Sequence, residues 1–222
     1  MPSHITTWLL QGLDTAHGNL SFMVWNSFLA LIPLVLSFWL FRGRGSHARP
    51  LPWWIGLSIF IAFLPNAPYV LTDIIHLVND IRNGSSVWAV ALILVPQYVL
   101  FIGFGAVAYT ISLVNLGRYL GREGKSRWII PTELTIHALT ALGIYLGRFL
   151  RFNSWDLVTR PNAVMGDALS LLMAKWPLAI MVGTFVILAV LHWCLKQLTL
   201  ASILYCRTRH LRITQKYLGY SE

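Results

Sequence analysis

Two stretches of this chain carry no charged side chain over lengths that a soluble protein seldom leaves uncharged. Residues 20–41 form the first stretch, and residues 87–116 form the second. Each exceeds the roughly 20 apolar residues that an α-helix needs to cross the hydrocarbon core of a bilayer. Because a backbone in lipid must satisfy its own hydrogen bonds, we expect both stretches to be transmembrane helices.

Three more segments are apolar enough to be spans. They are residues 53–78, 128–150 and 176–206. Only 11% of the residues are charged, against about 25% in an ordinary soluble domain. The sequence therefore predicts an all-α polytopic membrane protein with five transmembrane helices. Residues 1–222 are expected to form one integral-membrane domain, with a basic cytoplasmic tail at 207–222.

The basic residues are distributed unevenly between the ends of these spans. Segments 42–52, 117–127 and 196–222 hold twelve of the 17 lysines and arginines. By the positive-inside rule, this bias predicts an external N-terminus and a cytoplasmic C-terminus. We expect the basic segments to meet the bilayer surface and its anionic lipid headgroups. No nucleic-acid-recognition motif accompanies the charge, so no nucleic-acid partner is expected.

The second predicted span contains two prolines, in the sequence "PNAP" at residues 65–68. Pro65 and Pro68 lack a backbone donor, and each disfavours a helical conformation in the residue before it. The second span is therefore predicted to be broken at Pro65–Pro68, with Asn66 free to bond the exposed backbone. Such a break is either a binding feature or a packing kink, and the prolines alone do not distinguish the two.

After the prolines, polar residues recur on one face of a helix. Tyr69, Asp73 and His76 share that face, and apolar residues occupy the other. A polar face at membrane depth must contact protein or water, not lipid. Asp73 and His76 are the candidate metal ligands, but two ligands at helical spacing do not identify a metal. The sequence names no cofactor.

The fourth span carries a matching set of polar residues. Glu133 and His137 are four residues apart, and Arg148 lies eleven residues after His137 on the same helical face. At about 1.5 Å per residue, Arg148 reaches the depth of Asp73, so we expect the two to contact each other. Arg148 and Arg151, three residues apart, could form a two-pronged anion site. A purely structural salt bridge between the second and fourth spans is the alternative.

Two stretches of the sequence, "PNAPYVLTDIIHL" and "YLGRFLRFNSWD", resemble the signatures of a bacterial integral-membrane family catalogued as domain of unknown function 1361. The resemblance implies a small polytopic protein of a bacterial cytoplasmic membrane, and it implies no reaction. Together with the spacing arguments, it defines a candidate polar site near the outer membrane face, with Glu133 and His137 expected deeper, in the inner half to the middle of the bilayer. The members of that site are Asn66, Tyr69, Asp73, His76, Glu133, His137, Arg148, Arg151, Asn153 and Asp156.

Three classes of function fit these features. An enzyme or binding protein would use the polar site for a polar or anionic membrane-associated ligand. A small transporter would use the broken helix. An accessory subunit would pack against a larger membrane complex or against further copies of itself. The concentration of polar groups at one depth favours the first class.

Overall fold

The computed structural model of the chain describes residues 4–43, 49–152 and 155–218. These residues are almost entirely helical, and none of them lies in a strand. Five helical segments are long and apolar enough to cross a membrane, which confirms the predicted class and number of spans. They are Thr6–Arg42, Leu51–Arg82, Val87–Arg122, Ser126–Phe149 and Lys175–Ser202.

The first helix, α1, runs from His4 to Arg42 and begins well before the predicted start at residue 20. Contacts with the other spans explain this extension. The Asn19 side chain donates to Asp80 at 2.8 Å, and Gly12 lies directly against Ala89 in the third span. Because these contacts stabilise the polar N-terminal turns, the helix continues beyond its uncharged segment.

The second span consists of four consecutive pieces. They are α2 (Leu51–Phe63), α3 (Asn66–Tyr69), a 3₁₀ segment (Val70–Asp73) and α4 (Ile74–Arg82). The predicted break is confirmed. The regular helix stops at Phe63, just before the first proline, and the 3₁₀ turn after the prolines was not predicted.

The hydrogen bonds at the break show how the chain compensates for it. The Ala67 N–H donates to the Leu64 carbonyl at 3.2 Å, which is a tight 3₁₀-type bond. The Asn66 side chain donates to the Phe63 carbonyl at 3.1 Å. Asn66 therefore bonds backbone beside the break, as the sequence predicts, and replaces a bond that a regular helix would have made.

Glycines on two neighbouring helices allow close packing against the broken segment. A Cβ at Gly105 would collide with the Ala67 carbonyl oxygen and with Val70. A Cβ at Gly143 would lie 2.9 Å from the Pro65 ring. Small residues let membrane helices approach at backbone distance, so the broken segment is held between the third and fourth spans.

The third span also departs from regular geometry. It comprises α5 (Val87–Ala89), one π-helical turn (Val90–Leu94) and α6 (Val95–Arg122). Pro96 is the second residue after the π-helical turn and has no N–H to donate to an α-helical hydrogen bond. A π-helical bulge absorbs such a mismatch within a continuous helix.

The fourth span begins with a 3₁₀ turn (Ser126–Trp128) and continues as α7 (Ile129–Phe149). Two short helices then follow, α8 (Asp156–Thr159) and α9 (Pro161–Met173). Val164 and Leu171 of α9 pack with Leu146 of α7 in one apolar cluster. The helix α9 therefore packs against α7.

The last helix, α10, extends from Lys175 to Leu218 and includes most of the segment predicted as a basic tail. The main core of the bundle lies between the first, second and third spans, around Phe41, Phe60, Tyr109 and Leu113. Large apolar side chains on the outer faces of all five spans remain exposed, as expected of surfaces that contact lipid tails.

Candidate functional site

Asp73 is the centre of a polar contact between three spans. Its side chain is 1% exposed, and it lies at the end of the 3₁₀ segment of the second span. Arg148 of α7 donates to one carboxylate oxygen at 3.2 Å. Asn26 of α1 donates to the other oxygen at 2.7 Å. The contact that the sequence predicts between Asp73 and Arg148 is therefore present, with an amide partner that was not predicted.

The Arg148 guanidinium makes further contacts in the same place. It donates to the Thr72 carbonyl at 2.6 Å, and its central carbon lies 5.6 Å from the centre of the Tyr69 ring. A 3₁₀ turn leaves some carbonyls without their usual helical donors, and Arg148 supplies a donor for one of them. Arg148 thus joins α7 to the irregular part of the second span.

His76 lies beside this network without completing it. Its Nε2 is 4.0 Å from the nearer Asp73 oxygen, beyond hydrogen-bonding distance, and 43% of its side chain is exposed. The His76 ring packs on Phe22 with the ring centres 4.6 Å apart. Among the described residues, no cluster of three or more metal-ligating side chains is found, here or elsewhere.

Arg151 does not share a helical face with Arg148, contrary to the expected two-pronged site. The regular helix ends at Phe149, and Arg151 adopts a left-handed conformation with φ of 59°. The Phe152 N–H then turns back to the Leu146 carbonyl at 3.1 Å. Because spacing rules for helices end where the helix ends, the i, i+3 argument does not apply to this pair.

The new direction of the chain brings Arg151 to a large cavity beside the broken span. This cavity has a volume of about 460 Å³ and lies between α1, the break, α7 and α9. We call it the outer groove. Most of its lining is apolar, and the exceptions are Asn26, Asn66, Tyr69, Thr140, Arg151 and the Trp25 and Trp155 rings.

Among the residues that the structure describes, Arg151 is the only charged one in the lining of the outer groove. It is exposed, and it has no hydrogen-bond or ion-pair partner within the described part of the chain. Arg148, in contrast, is already bonded to Asp73 and Thr72. The charge available to a ligand is therefore that of Arg151.

The remaining outer candidates lie after α7. Asp156 is 3% exposed and accepts two hydrogen bonds from the Arg160 guanidinium, at 2.8 and 3.2 Å. It is absent from the lining of the outer groove and has a structural role at the start of α8. Asn153 lies outside the described residues.

Glu133 belongs to a second polar cluster, formed by α7 and α10. Lys196 approaches its carboxylate to 2.5 Å, and His192 Nε2 lies 3.6 Å from the same oxygen. Both partners come from the last span, in which the sequence shows a lysine and a histidine one helical turn apart. Glu133 is therefore paired at the other end of α7 from Arg148.

His137 is buried near this second cluster. Its Nδ1 lies 2.8 Å from the Tyr109 hydroxyl, and its ring centre is 5.2 Å from that of His192. On α7, His137 and Arg148 are eleven residues apart, or about 16 Å along the axis. The structure therefore divides the predicted polar site into an outer network and an inner cluster, and Glu133 and His137 belong to the inner one.

Asn26 is the residue of the outer network that sequence reasoning missed. It lies within the first uncharged stretch, where an amide in an otherwise apolar span is itself a signal of a buried partner. The role of Thr72, through its backbone carbonyl, has no side-chain signature and could not have been read from the sequence.

Comparison with known proteins identifies a family for this chain. Residues 25–190 match the family model described as "Protein of unknown function (DUF1361)". No curated protein matches the chain, and no solved structure matches it. The matched region contains the broken span, Arg148 and the described lining of the outer groove. The chain belongs to this family, DUF1361.

Proposed function

We propose that the protein binds an anionic amphiphile, with its apolar chain in the outer groove and its charged group at Arg151. The observation that carries this proposal is the outer groove itself. Its volume of about 460 Å³ lies within the range of roughly 300–1,000 Å³ that small-molecule sites occupy. Its apolar lining with a single cation is the pattern expected for a ligand that has both an apolar part and an anionic part.

The length of the outer groove supports an extended ligand. Its lining follows one face of α7 from Ile136 through Gly143 to Gly147. These twelve residues extend over about 16 Å along the helix axis. The hydrocarbon core of a bilayer is about 30 Å thick, so the lining covers about the depth of one leaflet.

The charged group is expected at the end of α7, beyond its last regular turn. Arg151 follows the helix, and the Trp155 ring lines the same end of the outer groove. Arginine is well suited to bind phosphate and carboxylate groups through paired N–H donors. Tryptophan is enriched where membrane proteins meet the headgroup region. An anionic headgroup at this end would keep the apolar chain of the ligand among the apolar side chains.

In this proposal, the Asp73–Arg148 pair supports the groove and does not contact the ligand. Both charges already have protein partners. Breaking these hydrogen bonds to bind a ligand would leave a buried charge unpaired, which costs more free energy than the new contact would return. The pair instead fixes the broken span against α7. The shape of the outer groove depends on that contact, because both elements contribute to its lining.

The distribution of basic residues supports an orientation with Arg151 on the outer side and α10 ending in the cytoplasm. We propose the cytoplasmic membrane of a bacterial cell as the location. The ligand would then enter from the outer leaflet or from the external aqueous phase.

The test measures the binding of single-chain amphiphiles to the purified full-length chain by native mass spectrometry. Lysophosphatidic acid is the anionic probe, and lysophosphatidylcholine is the zwitterionic comparison. We expect the anionic probe to bind about tenfold more tightly, as one additional charge-assisted contact predicts. Arg151→Gln should abolish this preference, and Leu139→Trp should weaken the binding of both probes by filling the outer groove.

Two matched variants control these changes. Arg82→Gln removes another exposed arginine that the topology puts on the same side of the membrane. Leu134→Trp enlarges a lipid-facing side chain of α7 that is absent from the lining. Equal binding by Leu139→Trp and Leu134→Trp would reject the outer groove as the site. Equal effects of Arg151→Gln and Arg82→Gln would reject Arg151 as the headgroup partner.

A proton-coupled transporter is the second candidate, and the inner cluster favours it. His192 is 3% exposed, and within the described residues neither of its ring nitrogens has a hydrogen-bond partner. A buried histidine beside the Glu133–Lys196 pair is a group that a proton-coupled cycle could use. Proton release from the protein reconstituted in vesicles, compared between the wild type and His192→Phe, would test this candidate directly.

A further inference from the structure

A second cavity lies at the other end of the bundle, where α1 and α6 end side by side. It has a volume of about 530 Å³. Three of its residues are arginines, and we call it the arginine groove. Its lining consists of Phe41, Arg42, Asn115, Arg118, Gly121 and Arg122.

The arginine groove is built on a buried amide. Asn115 is 1% exposed, donates to the Ser37 hydroxyl at 2.9 Å, and accepts from Arg42 Nε at 3.2 Å. The Arg42 guanidinium also lies over the Phe38 ring, 4.3 Å from its centre. These two contacts hold the Arg42 guanidinium in place through its Nε and its face.

The other two arginines lie on the same face of α6 as Asn115, since positions 115, 118 and 122 are three and four residues apart. Arg122 donates to the carbonyls of Phe41 and Arg42 at the C-terminal end of α1. Arg118 is exposed, and among the described residues it has no hydrogen-bond or ion-pair partner. One arginine is thus anchored to α1, and its neighbour is free.

No carboxylate offsets the positive charge of the arginine groove within the described chain. Its lining contains no Asp or Glu. Glu123, the next residue in sequence, forms an ion pair with Arg49 at 2.8 Å. Like charges four residues apart on a helix repel each other, so Arg118 and Arg122 are placed at an energetic cost that a bound anion would offset.

We propose that the arginine groove binds a phosphate group at the membrane surface. Both α1 and α6 end here, so the guanidinium groups lie at the level of the lipid headgroups. Guanidinium forks match the geometry of phosphate oxygens, and basic pockets between membrane helices are typical sites for phosphate-bearing headgroups. The phosphate belongs either to a lipid headgroup or to a free phosphate ion. This site is separate from the outer groove and does not depend on the function proposed there.

The experiment uses the full-length chain carrying Leu139→Trp, so that the outer groove is filled and only the second site is measured. Native mass spectrometry follows the binding of dioleoyl phosphatidic acid, with dioleoyl phosphatidylcholine as the zwitterionic comparison. Arg118→Gln is the test variant because Arg118 holds no other part of the structure. Arg127→Gln is its control, since Arg127 is an exposed arginine at the same end of the bundle and is absent from the lining.

We expect Arg118→Gln to weaken phosphatidic acid binding about tenfold, the effect of one charge-assisted phosphate contact. Arg127→Gln should change it less than about twofold, as a surface charge does. Displacement of phosphatidic acid by millimolar inorganic phosphate would identify the free ion as the ligand, and its persistence would identify the lipid. Two results would overturn the proposal. One is an equal loss of phosphatidic acid binding in Arg118→Gln and Arg127→Gln, and the other is unchanged binding in an Arg118→Gln variant that keeps the wild-type melting temperature.

Discussion

Arg148 Nη1 and Asp73 Oδ1 lie 3.2 Å apart, although 75 residues separate them in the chain. The aspartate is almost completely buried, and the arginine is about one quarter exposed. The same guanidinium also bonds the backbone of the 3₁₀ segment. Asp73 and Arg148 therefore form a structural connection between the second and fourth spans, and its strength can be measured.

Removing the charge of one member of this pair should lower the stability of the fold more than removing both charges. We expect Arg148→Gln to destabilise the protein by about 3 kcal/mol, because it leaves the buried Asp73 carboxylate with Asn26 as its one remaining hydrogen-bond donor among the described residues. The double variant Asp73→Asn/Arg148→Gln should recover at least half of that loss. Thermal melting in detergent measures both values. If the stability loss of the double variant equalled the sum of the losses of the two single variants, the two side chains would not be coupled.

The close contact at Gly105 gives a second prediction. Gly105→Ala should destabilise the fold by about 2 kcal/mol, since the new methyl group meets the rigid Ala67 carbonyl oxygen. Gly103→Ala in the same helix is the matched control, because a Cβ there meets nothing within 4 Å. We expect the control to be neutral or stabilising by up to about 1 kcal/mol, from helix propensity. Equal melting temperatures for the two variants would contradict the packing described at the break.

The inner ion pair should be coupled more strongly than a pair at the surface. A double-mutant cycle on Glu133→Gln and Lys196→Met should give a coupling of about 1–3 kcal/mol. The same cycle on Arg49→Gln and Glu123→Gln should give less than about 1 kcal/mol, since that pair is more exposed. Chemical denaturation in mixed micelles provides the energies. A larger coupling in the Arg49–Glu123 pair would show that the inner contact adds little to stability.

The proposed orientation is tested with reporters that fluoresce or are enzymatically active on only one side of the membrane. A fusion after Glu222 should report the cytoplasm, and an insertion near Gly166 in α9 should report the outside. Gly166 has open space around it, so an insertion there should disturb the packing little. The opposite pattern would reverse the sides assigned to the outer groove and the arginine groove.

Much of the architecture follows from local chemistry. The uncharged stretches predict the spans, the prolines predict the break, and depth along two helices predicts the contact between Asp73 and Arg148. Each of these inferences depends on spacing along one helix or on a fixed rise per residue. Such quantities are available from the sequence without knowledge of the packing.

The remaining features depend on which helices are neighbours. The contact of Gly105 with Ala67 requires the third span to lie against the break. The left-handed Arg151 follows from how α7 ends, and helix ends are set largely by tertiary contacts. The position of Glu133 on α7 predicts that it lies deeper than Arg148, but it does not identify the helix that Glu133 contacts. Its actual partner, Lys196, lies 63 residues further along the chain.

The parallel arrangement of α1 and α6 limits how this protein can change shape. Near Gly12, α1 contacts Ala89 at the start of the third span, and near Arg42 it contacts the end of α6, a separation of about 45 Å along α1. That distance equals the whole bilayer, including both headgroup regions. A pair joined at both ends resists sliding and tilting. A rearrangement that widens the outer groove therefore displaces the broken second span, α7 or α9 relative to this fixed pair.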